Sequence, residues 1–165
     1  MIFITLGSQK FQFNRLLKKV DELVKESKIN EEVYAQIGYS DYKPQNYKFK
    51  EFVDRDEFKE VMNKSEIVIA HGGTGAIITA VKQGKKVIAV PRLAKFGEHV
   101  DDHQMQIVTE FENSGIIKAV YDMEELEGTL KEIKNIEFEK YVSNTQNIIK
   151  DIEEFIKNTE KTNEK

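Results

Sequence analysis

The segment Val68-Ile69-Ala70-His71-Gly72-Gly73-Thr74-Gly75-Ala76 places a histidine beside three glycines that fall within four positions. The apolar run before His71 is typical of a buried strand, and the stretch after Gly75 is typical of a helix. Glycine lets the main chain adopt positive φ and lets a ligand approach it closely. The free N–H groups at a helix start favour an anion such as phosphate. This turn is predicted to bind phosphate, with His71 as a ligand contact.

A second, plainer strand-to-turn unit begins the chain, where an apolar run at residues 2–6 leads into Gly7-Ser8-Gln9. Two such turns at one edge of a sheet would form a site for a nucleoside diphosphate. The spacing of neither turn matches G-x-G-x-x-G, and the Lys-Ser/Thr pair of a P-loop is absent. Close packing of a helix on a sheet is the alternative interpretation of the glycines.

A dense polar segment, Glu98-His99-Val100-Asp101-Asp102-His103-Gln104, follows a later apolar run that ends at Pro91. Its donors and acceptors suit the hydroxyls of a sugar. An acid-rich helix start capped by Asp101 or Asp102 would explain the two aspartates alone. His99 and His103 would share one helix face, so a zinc hydrolase with His71 as third ligand is another alternative.

Phe52, Val53 and Asp54 end a further apolar stretch just before a short helical pattern. The main chain there could pair with the edge of a base. Core packing followed by an aspartate N-cap explains the same residues without a ligand.

Strand and helix patterns alternate along the chain, which predicts a mostly parallel, Rossmann-like α/β sheet with helices on both faces. Ligands of such sheets bind beyond the carboxyl ends of the strands. We expect one domain over residues 1–158 and a frayed charged tail over 159–165. The predicted strands cover residues 2–6, 33–37, 47–53, 67–70, 86–90 and 116–120, and the helices cover 13–24, 54–63, 75–82, 101–113, 123–133 and 138–158.

Composition narrows the classes of function. The chain has 165 residues, a net charge of −4 and no cysteine. A disulfide framework and a thiolate metal site are therefore excluded, and the acidic balance argues against a nucleic-acid partner. The sequence shows neither an apolar run long enough to span a membrane nor a signal peptide, so we expect a cytoplasmic protein.

In combination, the Gly-Ser-Gln turn, the Val-Ile-Ala-His-Gly-Gly-Thr-Gly segment and the Val-Pro-Arg…Glu-His-Val-Asp-Asp-His-Gln segment resemble the C-terminal, donor-binding half of a GT-B glycosyltransferase of family 28. The resemblance covers residues 1–135. The same combination resembles small bacterial subunits of exopolysaccharide and capsule synthesis, which are similar to the catalytic subunit of the two-component N-acetylglucosaminyltransferase of the dolichol pathway. Such subunits pair with a membrane-associated, acceptor-binding protein.

The resemblance implies a role for each matched residue. The diphosphate would lie against Gly7, Ser8, Gln9, His71, Gly72, Gly73, Thr74 and Gly75. The uracil and ribose would lie at Phe52, Val53 and Thr79, and the sugar at Glu98, His99, Asp102, His103 and Gln104. His71 would stabilise the leaving group without metal or cofactor, while the general base is expected on the partner. The family commonly has glutamate in place of Thr79 and serine in place of Ala76, and both departures put independent catalysis in question.

The resemblance implies transfer of a hexose, with galactose favoured, from a UDP-sugar to a lipid-linked saccharide at the inner face of the membrane. A non-catalytic subunit that binds the UDP-sugar and enhances a partner is the alternative. The predicted C-terminal helix could dock that partner or pack on its own sheet.

Overall fold

The computed structural model describes residues 1–143 and shows a six-stranded sheet in which every neighbouring pair of strands is parallel. The strand order is β3-β2-β1-β4-β5-β6. The strands are β1 Ile2–Thr5, β2 Val33–Gln36, β3 Lys48–Lys50, β4 Ile67–His71, β5 Lys86–Val90 and β6 Lys118–Ala119. The helices are α1 Asn14–Lys25, α2 Arg55–Lys64, α3 Thr74–Lys82, α4 His103–Asn113 and α5 Leu126–Glu132. The expected α/β sheet with helices on both faces is confirmed.

Two apolar layers bury the sheet, one on each face. Alternate residues of β1 point to opposite sides: Ile2 and Ile4 join the layer that contains the apolar side of α1, whereas Phe3 joins the layer beneath α3. β4 divides in the same way, with Ile69 on the first side and Val68 on the second. Because both faces are covered, the central strands are nearly all apolar, which is the pattern of a buried parallel sheet.

The first and last predicted residues of two strands lie outside the strands of the structure. β3 is shorter than residues 47–53 because only Lys48, Phe49 and Lys50 pair with β2 at the rim of the sheet. The last strand likewise shrinks to Lys118 and Ala119, the two residues in register with β5. Asp54 caps α2 as expected, and its side chain accepts the N–H groups of two residues in the first turn.

The start of the predicted C-terminal helix is wrong, because residues 138–143 are not helical. The Glu139 N–H donates to the carbonyl of Gly115 at 2.9 Å, which holds this segment against the end of α4. Phe138 packs on one apolar layer, and Tyr141 packs on the other, beneath Lys82. An extended segment can reach both layers in this way. The rest of that predicted helix, the proposed domain boundary at 158 and the tail lie outside the described residues.

Candidate functional site

The two predicted phosphate turns meet at one place in the fold. β1 and β4 are neighbours, and their connections leave toward opposite edges of the sheet, to β2 and to β5. That reversal is the position at which doubly wound sheets bind nucleotides, beyond the carboxyl ends of the strands. The Gly7 turn follows β1, and the turn of residues 72–75 follows β4.

His71 is the last residue of β4, and its ring fills the space between the two turns. A Cβ added to Gly7 would lie 2.7 Å from the ring's Cε1, and one added to Gly73 would lie 2.3 Å from Nε2. The backbone of Gly7 also has φ of +69°, which L side chains rarely adopt. Both positions therefore require glycine as long as the histidine ring occupies this place.

The proton position on His71 follows from its surroundings. Nδ1 lies 3.2 Å from the carbonyl oxygen of Thr5, so the neutral ring donates from Nδ1 and leaves a lone pair on Nε2. Desolvation and, to a smaller extent, the nearby charge of Arg92 lower the pKa of His71 to about 4, although the hydrogen bond to Thr5 opposes this shift. His71 is consequently neutral at pH 7 in the unliganded protein.

A cavity of about 480 Å³ opens beside this ring. It runs from the β1 turn at Gly7 and Ser8, past His71, to the N-terminal turns of two adjacent helices, α2 and α3. A volume of this size lies within the usual range for a small-molecule site.

Five of the residues predicted to bind the nucleotide line this cavity directly, and a sixth is the histidine itself. These residues are Gly7, Ser8, Val53, Gly75 and Thr79, with His71 between them. The Thr79 hydroxyl donates to the carbonyl of Gly75 at 2.7 Å, so it is engaged with its own helix. Gln9 and Thr74 are exposed outside the cavity wall.

Two predicted residues lie elsewhere. Gly72 is buried against α4, where an added Cβ would lie 2.7 Å from Cβ of Gln104, so helix packing alone accounts for this glycine. Phe52 is 43% exposed and packs edge-on against Tyr39, with 5.1 Å between ring centroids. Both aromatic residues line a neighbouring depression rather than the cavity itself.

Sequence reasoning missed three polar residues of the cavity wall, Thr5, Gln36 and Arg55. Gln36 ends β2, so the rule that parallel strands share a carboxyl edge could have identified it. Asp54, which belongs to the segment expected either to pair with a base or to cap a helix, caps α2 and also lines the cavity. Arg55 is the first residue of α2, and no local pattern marks it as a wall residue.

In the predicted sugar site, two of the polar side chains are buried and bonded to other protein groups. Glu98 is 1% exposed, its Oε1 pairs with Nε of Arg15 at 2.8 Å, and its Oε2 accepts the Leu93 N–H at 3.0 Å. Gln104 is buried as well, and its side-chain oxygen accepts the Arg92 N–H at 3.1 Å. The structure thus corrects the role of Glu98, because its carboxylate is committed to the protein interior.

The remaining polar residues of this loop are arranged around the start of α4. Asp101 accepts the His103 N–H at 3.0 Å and also contacts His99 at the same distance. Asp102 occupies the cap position, but its carboxylate instead accepts the Ala94 N–H at 2.8 Å. His103 is exposed at the first position of the helix. Of the two aspartates, Asp101 therefore supplies the bond to the helix start.

The zinc alternative lacks a ligand set in the described part of the chain. Within residues 1–143, no group of three histidine or acidic side chains is placed to hold a metal ion. Over the same residues, no helix is long and apolar enough to cross a membrane.

The strand order, the turn pair and the cavity define a doubly wound α/β domain with a cavity at its switch point, the position at which such sheets bind their ligands. The model of the glycosyltransferase family 28 C-terminal domain matches residues 1–161. The chain belongs to that family.

A curated relative is the UDP-N-acetylglucosamine transferase subunit ALG13 of Kluyveromyces lactis, 34% identical over 90 residues. That match covers 54% of this chain and 43% of the relative, so the chain aligns with less than half of the subunit's length.

Two solved structures show the same fold at low identity. The glycotransferase of kitacinnamycin is 18% identical with a TM-score of 0.61, over 80% of this chain and 34% of its own. The solution structure of ALG13 is 16% identical with a TM-score of 0.56, over 86% of this chain and 89% of its own. The predicted likeness to a GT-B donor-binding half is confirmed.

Proposed function

We propose that this chain is the donor-binding subunit of a two-component glycosyltransferase and binds a UDP-sugar in the cavity beside His71. The observation that carries the proposal is the meeting of the Gly7 turn and the start of α3 around one half-buried imidazole, at the switch point of the sheet. The relative ALG13 is a subunit of a UDP-N-acetylglucosamine transferase, which supports both a UDP-sugar as the donor and the need for a partner.

In this proposal the cavity supplies electrostatic stabilisation of the leaving UDP. The N–H groups at the start of α3 and the neighbouring backbone face the diphosphate with partial positive charge. The anionic phosphate favours the protonated imidazole, which then donates from Nε2 of His71 while Nδ1 keeps its bond to Thr5. The base would bind toward Val53 at the far end. No metal enters the scheme, and the general base would come from the partner.

The finer assignments are also proposals. The donor sugar is a hexose, with galactose favoured because the segment of residues 98–104 resembles exopolysaccharide galactosyltransferases, and the acceptor is a lipid-linked saccharide. The subunit would act in the cytoplasm, at the inner face of the membrane, through an acceptor-binding membrane protein that supplies the opposite wall of the cleft.

The test begins with purification from native membranes, which identifies the co-purifying protein. The pair is then assayed with a glycosyl lipid and with UDP-galactose, UDP-glucose and UDP-N-acetylglucosamine in parallel. His71→Ala should abolish transfer, whereas Lys59→Ala, an exposed change on α2 away from the cavity, should leave it intact. A chain that binds no uridine nucleotide even with its partner would overturn the proposal.

A non-catalytic, UDP-sugar-binding subunit is the second candidate, favoured by the engagement of the Thr79 hydroxyl with its own helix backbone. Transfer that survives His71→Ala while UDP still binds the wild-type chain would favour this role.

A further inference from the structure

Arg92 is a buried cation whose partners are backbone carbonyls from two distant parts of the chain. It is 1% exposed. One terminal nitrogen donates to Leu6 O at 2.7 Å; the other donates to Phe11 O at 2.8 Å and to Gln12 O and Glu98 O at 3.3 Å each. The guanidinium therefore joins the connection after β1 to the loop after β5.

A second arginine closes the same junction from the surface side. Nε of Arg15 pairs with the buried carboxylate of Glu98, and its Nη2 donates to the Pro91 carbonyl at 2.7 Å. The other oxygen of Glu98 holds the Leu93 N–H. We call Arg15, Arg92 and Glu98 the arginine clamp. It ties residues 6–15 to residues 91–98 through charge-assisted hydrogen bonds, which are stronger than neutral ones.

The clamp lies directly behind the turn that faces the cavity. Leu6, whose carbonyl Arg92 holds, precedes Gly7, and Gly7 lies against the His71 ring. Burial lowers the pKa of Arg92 to about 10, so the side chain remains a cation at pH 7. A fixed positive charge thus stands behind the end of the cavity where an anion would lie.

We propose that Arg92 is a positioning residue for the diphosphate end of the cavity: through Leu6 it fixes the Gly7 turn against His71. This inference rests on the proposed function. It predicts an unequal effect on ligands. The far end of the cavity, at Val53 and Asp54, makes no contact with the clamp, so recognition of the nucleoside should not depend on Arg92.

The test compares UDP with uridine on the ¹⁵N-labelled full chain by NMR titration. Arg92→Lys keeps the charge but loses the several carbonyl bonds, and we expect UDP affinity to fall about tenfold while uridine affinity changes less than about twofold. Arg15→Met, on the partly exposed side of the clamp, provides a second variant in case the buried change does not fold, with an expected loss of about threefold for UDP.

Lys18→Met is the matched control, since it removes an exposed cation from α1 without touching the clamp. It should leave both affinities unchanged. If the wild-type chain binds UDP and the folded Arg92→Lys and Arg15→Met variants bind it equally well, the inference about Arg92 is wrong. The proposed function would stand in that case. Equal losses for UDP and uridine would also overturn it, because they indicate a general structural defect. No UDP binding by the wild-type chain, with its partner present, would overturn the proposed function as well.

Discussion

The glycine turns after β1 and β4 and the polar loop of residues 91–104 flank the same carboxyl edge, yet they use their residues in opposite ways. The turns carry few polar side chains and surround a half-buried histidine with backbone. The loop carries many, but Glu98 and Gln104 point inward and hold the main chain of the loop itself.

The difference shows that polar density is a poor guide to ligand contact. A loop without regular structure has backbone N–H groups that must find acceptors, and nearby side chains provide them. In the turn after β4 the Gly73 N–H donates to the His71 carbonyl at 2.7 Å, but the first N–H groups of the helix that follows have no partner within that helix. The less conspicuous region is therefore the better candidate for binding an anion.

The strongest challenge to this comparison is Gly73→Ala. The new Cβ would lie 2.3 Å from Nε2 of His71, so the ring must leave its place. We expect UDP affinity to fall roughly 100-fold, or about 3 kcal/mol, measured by calorimetry. Gly128→Ala on α5 is the matched control: it does not line the cavity and nothing lies within 4 Å of its added Cβ, so the affinity for UDP should not change. Wild-type affinity in Gly73→Ala would mean that the ring position is irrelevant to binding.

His71 should also make the free energy of unfolding depend on pH. The pKa of His71 is about 4 in the folded chain against 6.5 for an ordinary histidine, so the unfolded chain binds more protons between these values. The neutral His71 ring contributes about 3 kcal/mol to the free energy of unfolding above pH 6.5. This contribution is lost as the pH falls from 6.5 toward 4. Chemical denaturation should show a flatter profile for His71→Asn over this window. His103→Asn, at an exposed position, should retain the wild-type profile; parallel curves for all three proteins would contradict the assignment.

Glu98→Gln tests whether the carboxylate in the polar loop stabilises the folded protein. Its carboxylate is buried with Arg15, so loss of the charge should lower the free energy of unfolding by about 2 kcal/mol. Glu124 forms an ion pair with Lys19 at the surface, and its side chain is 81% exposed. Glu124→Gln should therefore lower the free energy of unfolding by less than about 0.5 kcal/mol. Equal, small losses in urea titrations would show that Glu98 is free to serve a ligand.

The smallest expected effect belongs to His103→Asn. The side chain is exposed at the start of α4, so stability should change by less than about 0.5 kcal/mol. If the sugar lies here, the affinity for UDP-galactose should fall about threefold while that for UDP stays constant. Lys95→Gln, exposed on the same loop, serves as the control. If the affinities for UDP-galactose and UDP change by the same factor, the sugar does not bind at His103.

Much of the fold could be predicted because the relevant signals are local. The apolar runs of β1, β4 and β5 lie in register at the centre of the sheet, as their composition indicates. The cap at Asp54 and the end of α3 near Gly84 also follow from neighbouring residues. Residues 138–143 escaped prediction, because their extended path depends on a bond to Gly115.

The sequence by itself determined that parallel strands carry two glycine turns to one edge, since alternating apolar periods require helical crossovers. The tertiary structure alone decided that β1 and β4 are neighbours and that His71 stands between their turns. It also decided which polar side chains remain available. Arg15 and Glu98 are 83 positions apart, and no local pattern states that they satisfy each other in the interior. Whether a side chain serves a ligand or the protein depends on the partners that folding brings within hydrogen-bond distance.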